Sequence, residues 1–314
     1  PVGNAITWMD KVDCFTAFID LVGMVVHEKG KQKGLKHIAY ISTSMIKKEI
    51  YTIPGAKGRN MLMDLTYDDQ YPKAPLVIFA HGFKGFKDWG THNLVARFFA
   101  ENGFRYLKFN FSHNGTTPDK PIDFADLIAF SENTFSIELD DLNAVIDFAC
   151  NGSAMPATAR VNLIGHSMGG GISIIKTAED KRVSKLVTMA SISGFGNLWP
   201  KEAEAQWKIQ GIMYIHNART GQQMPLKSTL LDDLEAHPSR LNILDKAAAI
   251  LQPWLIIHGD ADTSVPVEHA KQLKAAQPNA ELLIIPKADH VFGASHPYGK
   301  EILPAPLQEF CAKT

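Results

Sequence analysis

The chain has 314 residues, a length that allows one large domain or two domains of ordinary size. Acidic and basic side chains nearly balance at a formal net charge of −1, which argues against a nucleic-acid or anionic-membrane partner held by bulk electrostatics. Hydrophobic residues make up 45% of the chain, which is enough for a sizeable core and excludes a disordered or collagen-like protein.

The cysteines and the first apolar run bear on where the protein works. Cys14, Cys150 and Cys311 are too few and too scattered for a disulfide framework or a zinc site, which favours a reducing, cytoplasmic location. The apolar run 14–26 is too short to span a bilayer and lacks the basic lead of a secretory signal. We therefore expect neither a signal peptide nor a membrane partner.

Residues 1–44 are interpreted as an N-terminal extension. Within them Phe15, Phe18, Ile19 and Val22 follow the i, i+3, i+4, i+7 spacing of an amphipathic helix. Such a helix would pack its apolar face on the main domain or on a second subunit, so a homodimer stays open as an expectation.

From residue 45 onward, short β-branched or aromatic runs alternate with helical patterns, as is typical of parallel βαβ units. A turn with Pro54, Gly55 and Gly58 joins the first two runs as a hairpin, so we expect a mixed sheet. The middle runs are nearly all apolar, as strands covered on both faces must be. The predicted strands are 49–53, 61–66, 76–80, 105–111, 160–164, 186–190, 254–258 and 281–285.

Helical patterns lie between these strands and after the last one. The predicted helices are 92–102, 136–149, 170–178, 267–276 and 307–312. Residues 193–250 separate two consecutive strands by far more than one crossover needs, so we expect an inserted helical cap over the strand ends. The sequence thus predicts one α/β domain over 45–314, with a mostly parallel central sheet of about eight strands flanked by helices.

The strongest chemical signal is the pentapeptide Gly165-His166-Ser167-Met168-Gly169, which fits G-x-S-x-G. It joins a predicted strand to a predicted helix, and this is the context in which the motif presents a serine hydroxyl above a sheet. Glycines are needed there because a Cβ would collide with the tight turn. Ser167 is therefore predicted to be a nucleophile.

A serine hydroxyl is a weak nucleophile that needs a base, and the base needs a group that orients it. The loop after the seventh predicted strand carries Asp260 and Asp262, and the loop after the last strand carries Asp289 and His290. Both loops leave the same edge of the sheet as Ser167, where ligands bind in open α/β folds. Adjacent side chains rarely face one another, which favours a role within its own loop for Asp289.

From about residue 48 to its end the chain resembles the α/β-hydrolases, specifically the serine esterases and acyl-peptidase-like hydrolases that include the small feruloyl and cinnamoyl esterases. The matching pieces are His81-Gly82-Phe83, Gly165–Gly169, the H-G-x-x-D-x-x-V-P run 258–266 and Asp289-His290. The resemblance implies an α/β-hydrolase fold and a catalytic triad of Ser167, Asp262 and His290. The family's acid is the aspartate three residues after the glycine of that run, which leaves Asp260 to stabilise its turn.

The resemblance also implies two backbone donors for the oxyanion of the reaction, the N–H groups of Phe83 and Met168. His81 would then have a structural role within its loop. The remaining histidines lack carboxylate or cysteine partners at the spacing of a metal site, so we expect neither a metal nor a cofactor.

Four side chains are candidates for contact with a substrate, one in the loop after the fourth strand and three in the cap. They are His113, Trp199, Trp207 and Arg219. Each has a structural alternative: backbone contact for the histidine, the cap core for the tryptophans, and pairing with Asp232 or Asp233 for the arginine.

Together these features predict a serine esterase that acts on small-molecule carboxylic esters of small, medium or aromatic acids through an acyl-enzyme. The near-zero net charge fits a small, weakly charged substrate. Two alternatives stay open: hydrolysis of peptides or amides as in acyl-aminopeptidases, and a non-catalytic α/β-hydrolase that only binds a ligand.

Overall fold

The computed structural model describes residues 45–314, so the predicted N-terminal amphipathic helix lies outside the described residues. Its main sheet has eight strands in the order β1-β2-β4-β3-β5-β6-β9-β10, and β7 and β8 form a separate pair. The strands are β1 Ile46–Pro54, β2 Asn60–Asp68, β3 Leu76–Ala80, β4 Arg105–Phe109, β5 Val161–His166, β6 Val183–Met189, β7 Ile212–His216, β8 Gln223–Lys227, β9 Trp254–Gly259 and β10 Glu281–Ile285.

Strand β2 runs antiparallel to both of its neighbours, and every other neighbouring pair in the main sheet is parallel. The mixed, mostly parallel sheet is therefore confirmed. Every residue of β3 and β4 is buried, which explains why β3 is wholly apolar in the sequence. In β4, the buried charges of Arg105 and Lys108 have partners: Arg105 donates to the Ala74 and Pro156 carbonyls, and Lys108 pairs with Asp64.

The described residues contain nine α-helices, none of them long and apolar enough to cross a membrane. They are α1 His92–Glu101, α2 Leu127–Ser131, α3 Phe135–Asn151, α4 Met168–Glu179, α5 Ala203–Gln210, α6 Thr229–Ala236, α7 Ile243–Ala248, α8 Glu268–Ala276 and α9 Ala305–Lys313. The short helix α2 had no periodic signal in the sequence, and it starts where the Asp126 side chain accepts a hydrogen bond from the Ala129 N–H.

Helices cover both faces of the main sheet. Apolar side chains of α1 and α9 pack against Val77 and Phe79 on one face, and those of α3 and α4 pack with Leu76 and Ile78 on the other. The alternation along β3 thus feeds two separate hydrophobic clusters. This sandwich fixes the strand ends from which the site loops emerge.

The segment 193–250, predicted as an inserted helical cap, contains α5, α6 and α7 and also the antiparallel hairpin β7–β8, which was not predicted. Its turn is closed by the N–H of Asn217, which donates to the Gln222 carbonyl over 2.9 Å, and by Gly221 at a φ of 72°. The Trp207 indole N–H donates to the Leu226 carbonyl over 2.8 Å and ties α5 to β8. Because backbone hydrogen bonds hold the two strands of the hairpin together, the pattern of its side chains in the sequence predicts the hairpin only weakly.

Candidate active site

Ser167 lies in a strained turn between β5 and α4, with φ 56° and ψ −120°. Its two flanking glycines are required by space: a Cβ at Gly165 would lie 2.4 Å from the Gly169 carbonyl oxygen, and one at Gly169 would lie 2.4 Å from the Ala80 carbonyl oxygen. The Ser167 N–H donates to the Met189 carbonyl over 2.9 Å, which ties the turn to β6. The strain is thus held by the surrounding backbone.

The structure brings Ser167, His290 and Asp262 into one hydrogen-bonded line. His290 Nε2 is 3.1 Å from Ser167 Oγ, and His290 Nδ1 is 2.8 Å from Asp262 Oδ2. The carboxylate can only accept, so Nδ1 carries the imidazole proton and Nε2 is free to accept from the serine hydroxyl. This is the arrangement in which an imidazole can act as a general base on a serine.

The Asp262 side chain is fully buried, yet it is held ionised. Its Oδ1 accepts from the backbone N–H groups of Ser264 and Val265 at 2.9 and 2.8 Å. Burial acts to raise the pKa of Asp262, but hydrogen bonds from His258 and His290, with the charge of His290, outweigh it and bring that pKa below its ordinary value.

His258 is a second histidine on the Asp262 carboxylate, and sequence reasoning assigned it no role. Its Nε2 lies 3.4 Å from Asp262 Oδ2 and donates to the Val265 carbonyl over 2.8 Å. His258 therefore contacts the Asp262 carboxylate in addition to His290. Its place as the first residue of the H-G-x-x-D run was the only signal that could have pointed to it.

The other two aspartates of these loops serve the backbone. Asp260 Oδ1 accepts from the Lys287 N–H over 2.5 Å and links the two loops that carry Asp262 and His290. Asp289 Oδ1 accepts from the Gly293 N–H over 2.8 Å, within its own loop. Neither carboxylate contacts the imidazole of His290.

The backbone N–H groups of Phe83 and Met168, predicted to bind the oxyanion, have no hydrogen-bond acceptor within residues 45–314. Met168 is the first residue of α4, so its N–H has no partner within the helix. Within residues 45–314, the Phe83 N–H donates to no other group. A Cβ at Gly82 would lie 2.9 Å from the Ser167 Cβ, which shows how closely the Phe83 loop passes the serine.

Two buried features hold the Phe83 loop. His81 Nδ1 lies 2.9 Å from the Gly82 carbonyl, and burial lowers the pKa of His81 to about 4, so this histidine is a neutral structural element. Further along, Lys87 Nζ lies 2.6 Å from Asp64 Oδ2, and Lys108 Nζ lies 2.8 Å from the other oxygen of Asp64. A buried ion cluster therefore anchors the loop to β2 and β4.

Above Ser167 opens a cavity of about 310 Å³, which we call the serine cavity. It is lined by His81, Gly82, Phe83, Lys84, Gly85, Trp89, His92, His166, Ser167, Asn217, Arg219, His290, Val291 and His296. A second, narrow cavity of about 10 Å³ lies against Phe83 and Met168 and is lined mostly by apolar side chains, among them Trp199 and Leu226.

The four candidate substrate residues are placed differently. Arg219 lines the serine cavity and Trp199 lines the narrow one. Trp207 is 1% exposed within the cap, and His113 is equally buried, with its Nδ1 2.7 Å from the Ser112 hydroxyl. These two line neither cavity because each is packed in the interior. For Trp207 this is the cap-core alternative, whereas the His113 ring contacts a side-chain hydroxyl and not the backbone.

Five histidines of the described residues line the serine cavity, and the others lie elsewhere in the fold. Within residues 45–314, no group of three or more His, Cys, Asp or Glu side chains is arranged to hold a metal ion. Burial lowers the pKa of His166 to about 3 and that of His113 to about 4, so both are neutral near pH 7. His166 Nε2 lies 2.9 Å from the His290 carbonyl, so its ring contacts the backbone of His290.

Comparison with known proteins adds the family. Residues 77–300 match the sequence model described as the Alpha/beta hydrolase family. The chain belongs to the α/β-hydrolase family. The strand order, the serine turn and the loop positions described above all agree with that membership.

Individual relatives are distant. The chain is 23% identical over 275 residues to the monoacylglycerol lipase of Mycolicibacterium smegmatis, a match that covers 76% of this α/β-hydrolase and 89% of that protein. Est1E from Butyrivibrio proteoclasticus, solved with ferulic acid bound, is 20% identical with a TM-score of 0.63 and coverages of 84% and 98%. Mouse alpha/beta hydrolase domain-containing protein 10 is 16% identical with a TM-score of 0.61 and coverages of 84% and 96%. At these identities the solved structures show the shared fold alone.

Proposed function

We propose that this α/β-hydrolase is a serine esterase that cleaves carboxylic esters of small, medium or aromatic acids. The observation that carries the proposal is the unbroken line of hydrogen bonds from Asp262 through His290 to Ser167, whose hydroxyl faces an open cavity. The similarity to a lipase and to a protein solved with an aromatic acid supports ester chemistry. We expect it to be cytoplasmic.

In the first half of the reaction, Ser167 Oγ attacks the ester carbonyl carbon while its proton passes to His290 Nε2. Asp262 keeps the proton on Nδ1 and stabilises the imidazolium that forms. When the tetrahedral intermediate collapses, the C–O bond to the alcohol breaks and the alcohol leaves with the proton from Nε2. Water then attacks the acyl-enzyme while one of its protons passes to His290 Nε2. That proton returns to Ser167 Oγ as the acid is released.

The negative charge that develops on the carbonyl oxygen needs donors already in place. The N–H groups of Phe83 and Met168 would supply them, and the N-terminus of α4 adds its helix dipole at the same point. Because the buried ion cluster fixes the Phe83 loop, these donors need little reorganisation during the reaction.

Hydrolysis of 4-nitrophenyl butyrate tests the proposal directly. Ser167→Ala should lower kcat by about 10⁴-fold or more, because the nucleophile is lost while the fold is kept. Ser153→Ala, at an exposed serine, is the matched control and should retain full activity. Equal activity of Ser167→Ala and the parent protein would refute the proposal.

The same acid presented as an ester and as an amide separates the proposal from peptide or amide hydrolysis. We expect turnover of the 4-nitrophenyl ester and no turnover of the 4-nitroanilide above the uncatalysed rate. Turnover of the anilide that requires Ser167 would instead support the acyl-aminopeptidase alternative, because the amide C–N bond is the harder one to break. Folded protein that turned over neither substrate would support the binding-only alternative.

A further inference from the structure

The serine cavity carries positive charge that no acidic side chain lining it offsets. From its lining we infer that the natural substrate bears an anionic group, a carboxylate or a phosphate, which Arg219, Lys84 and Asn217 bind beside the scissile ester. This inference rests on the proposed esterase function and names the charge of the substrate that this function would use.

Arg219 is a cation without a counter-ion among the described residues. It forms no ion pair within residues 45–314, and its alternative partners Asp232 and Asp233 do not contact it. Its guanidinium carbon lies 5.4 Å from the Phe86 ring centroid and 5.6 Å from that of Phe124. Aromatic faces hold the guanidinium in place but leave its charge and its N–H donors available.

Lys84 supplies a second cation to the lining of the serine cavity. Within the described part of the chain its ammonium group forms no ion pair, and its Nζ lies 6.0 Å from the centroid of the Phe83 ring. The residue holds a φ of 56°, a left-handed backbone that costs free energy for a non-glycine residue and clusters at ligand sites. Burial lowers the pKa of Lys84, and a bound anion would reverse this effect.

Asn217 provides the independent sign of a missing ligand. The residue is 5% exposed and lines the serine cavity, yet its Nδ2 has no hydrogen-bond partner in the described structure. A buried donor without an acceptor costs free energy, so natural proteins rarely keep one without a reason. An oxygen of a bound anion would satisfy it.

The tip of the β7–β8 hairpin orients these groups together. Asn217 Oδ1 accepts from the backbone N–H of Arg219 over 3.1 Å, so the two residues belong to one hydrogen-bonded turn. The Gln222 side chain donates to the Phe124 carbonyl over 3.1 Å and ties that turn to the main domain. An arginine fork beside an amide N–H matches the oxygens of a carboxylate or phosphate.

The remaining titratable groups that line the cavity do not offset these two charges. All of them are histidines, and burial lowers the pKa of His92 and of His166 to about 3, so both are neutral near pH 7. Burial and then the charge of Arg219 lower the pKa of His296, as expected for a group in a positive field. Asp262 lies behind His290 and does not line the cavity.

Matched esters test the inference. We would measure kcat/KM for 4-nitrophenyl esters whose acyl chain ends in a carboxylate, in a phosphate monoester or in the neutral methyl ester of the same acid. The acetate ester of 4-hydroxybutyrate and that of its methyl ester place the charge on the alcohol side. At least one anionic ester should exceed its neutral counterpart by about 10-fold, the size expected of one charge-assisted hydrogen bond.

Variants then assign the preference to its residues. Arg219→Gln and Lys84→Gln should each lower the ratio of anionic to neutral kcat/KM by about 10-fold. Arg97→Gln removes the same charge from an exposed arginine paired with Glu101 and should leave that ratio unchanged. A parent ratio near one, or a ratio that Arg219→Gln does not change, would overturn the inference.

The two proposals fail in distinguishable ways. Turnover of neutral esters that requires Ser167, without any preference for anions, overturns the anion site and leaves the esterase function standing. If no ester is turned over, the esterase function fails, and titration of Ser167→Ala protein with glutarate, with inorganic phosphate and with dimethyl glutarate tests the site by itself. Binding of an anion that Arg219→Gln weakens supports it, and no binding overturns it.

Discussion

Asp262 and His290 show how single side chains set the chemistry. Asp262 accepts from two backbone N–H groups on one oxygen and from His290 on the other, so it is both ionised and fixed in place. Its role in the proposed reaction is to keep the imidazole proton on Nδ1, which no neutral acceptor in this position would do as well.

Asp262→Asn is expected to lower kcat by about 10⁴-fold while leaving the fold intact, because an amide that presents its N–H₂ to Nδ1 favours the wrong imidazole tautomer. Steady-state ester hydrolysis with a circular dichroism spectrum as the folding control measures this. A decrease of less than about tenfold would count against Asp262 as the orienting acid.

Glu138 on α3 predicts a pH dependence of stability. Burial raises the pKa of Glu138 from 4.5 to about 8, because this carboxyl is fully enclosed with a single amide donor, Asn133 Nδ2, at 2.8 Å. The native state keeps a proton that the unfolded chain loses above about pH 4.5. Its stabilising contribution is therefore complete below that pH and is lost as the pH rises through about 8.

Glu138→Gln removes that dependence, since its side chain has no charge to bury. The quantity to compare is the Tm of the variant minus the Tm of the parent. We expect this difference to be about 2 °C or more larger at pH 8.5 than at pH 5. Thermal unfolding at the two pH values measures the difference. An equal change in Tm at both values would contradict the raised pKa.

At the scale of elements, the turn between β5 and α4 depends on close backbone contact. Gly169→Ala would place a Cβ 2.4 Å from the carbonyl oxygens of Ala80 and His81, which are rigid backbone at the end of β3. We expect a loss of about 2 kcal/mol or more in the free energy of unfolding and a large loss of activity.

Gly196→Ala is the matched control, since a Cβ there meets nothing within 4 Å. It should change the free energy of unfolding by no more than about 0.5 kcal/mol. Urea unfolding of both variants gives the comparison. Similar stability of the two would show that the turn tolerates a side chain and that its geometry is not as constrained as described.

The elements differ in how far the sequence predicts them. Strands such as β3 and β10 are short, mostly apolar runs next to turn residues, so their bounds were predicted to the residue. The hairpin β7–β8 was not predicted, because no residue of β7 is fully buried and the pairing depends on backbone hydrogen bonds and on the turn at Gly221. At its tip, Arg219 was a candidate for contact with a substrate, whereas Asn217 carried no signal in the sequence.

At the scale of the whole molecule, the net charge of −1 describes no particular surface. It predicted a weakly charged substrate because opposite charges cancel over the chain, whereas the serine cavity brings Lys84 and Arg219 together without an acidic lining residue. The G-x-S-x-G motif was readable from its local spacing, and the choice of Asp262 and His290 followed from the resemblance to the α/β-hydrolases. The charge of the serine cavity is not readable from the sequence, because its lining comes from distant loops that only folding brings together.

The most direct test of the proposed serine hydrolase is labelling of the folded protein with a fluorophosphonate probe, followed by mass spectrometry of its peptides. The probe reacts with a serine whose hydroxyl is activated by a base, so we expect one labelled site, Ser167, and a loss of labelling in His290→Ala. Folded protein that is not labelled, or labelling that persists in Ser167→Ala, would contradict the account.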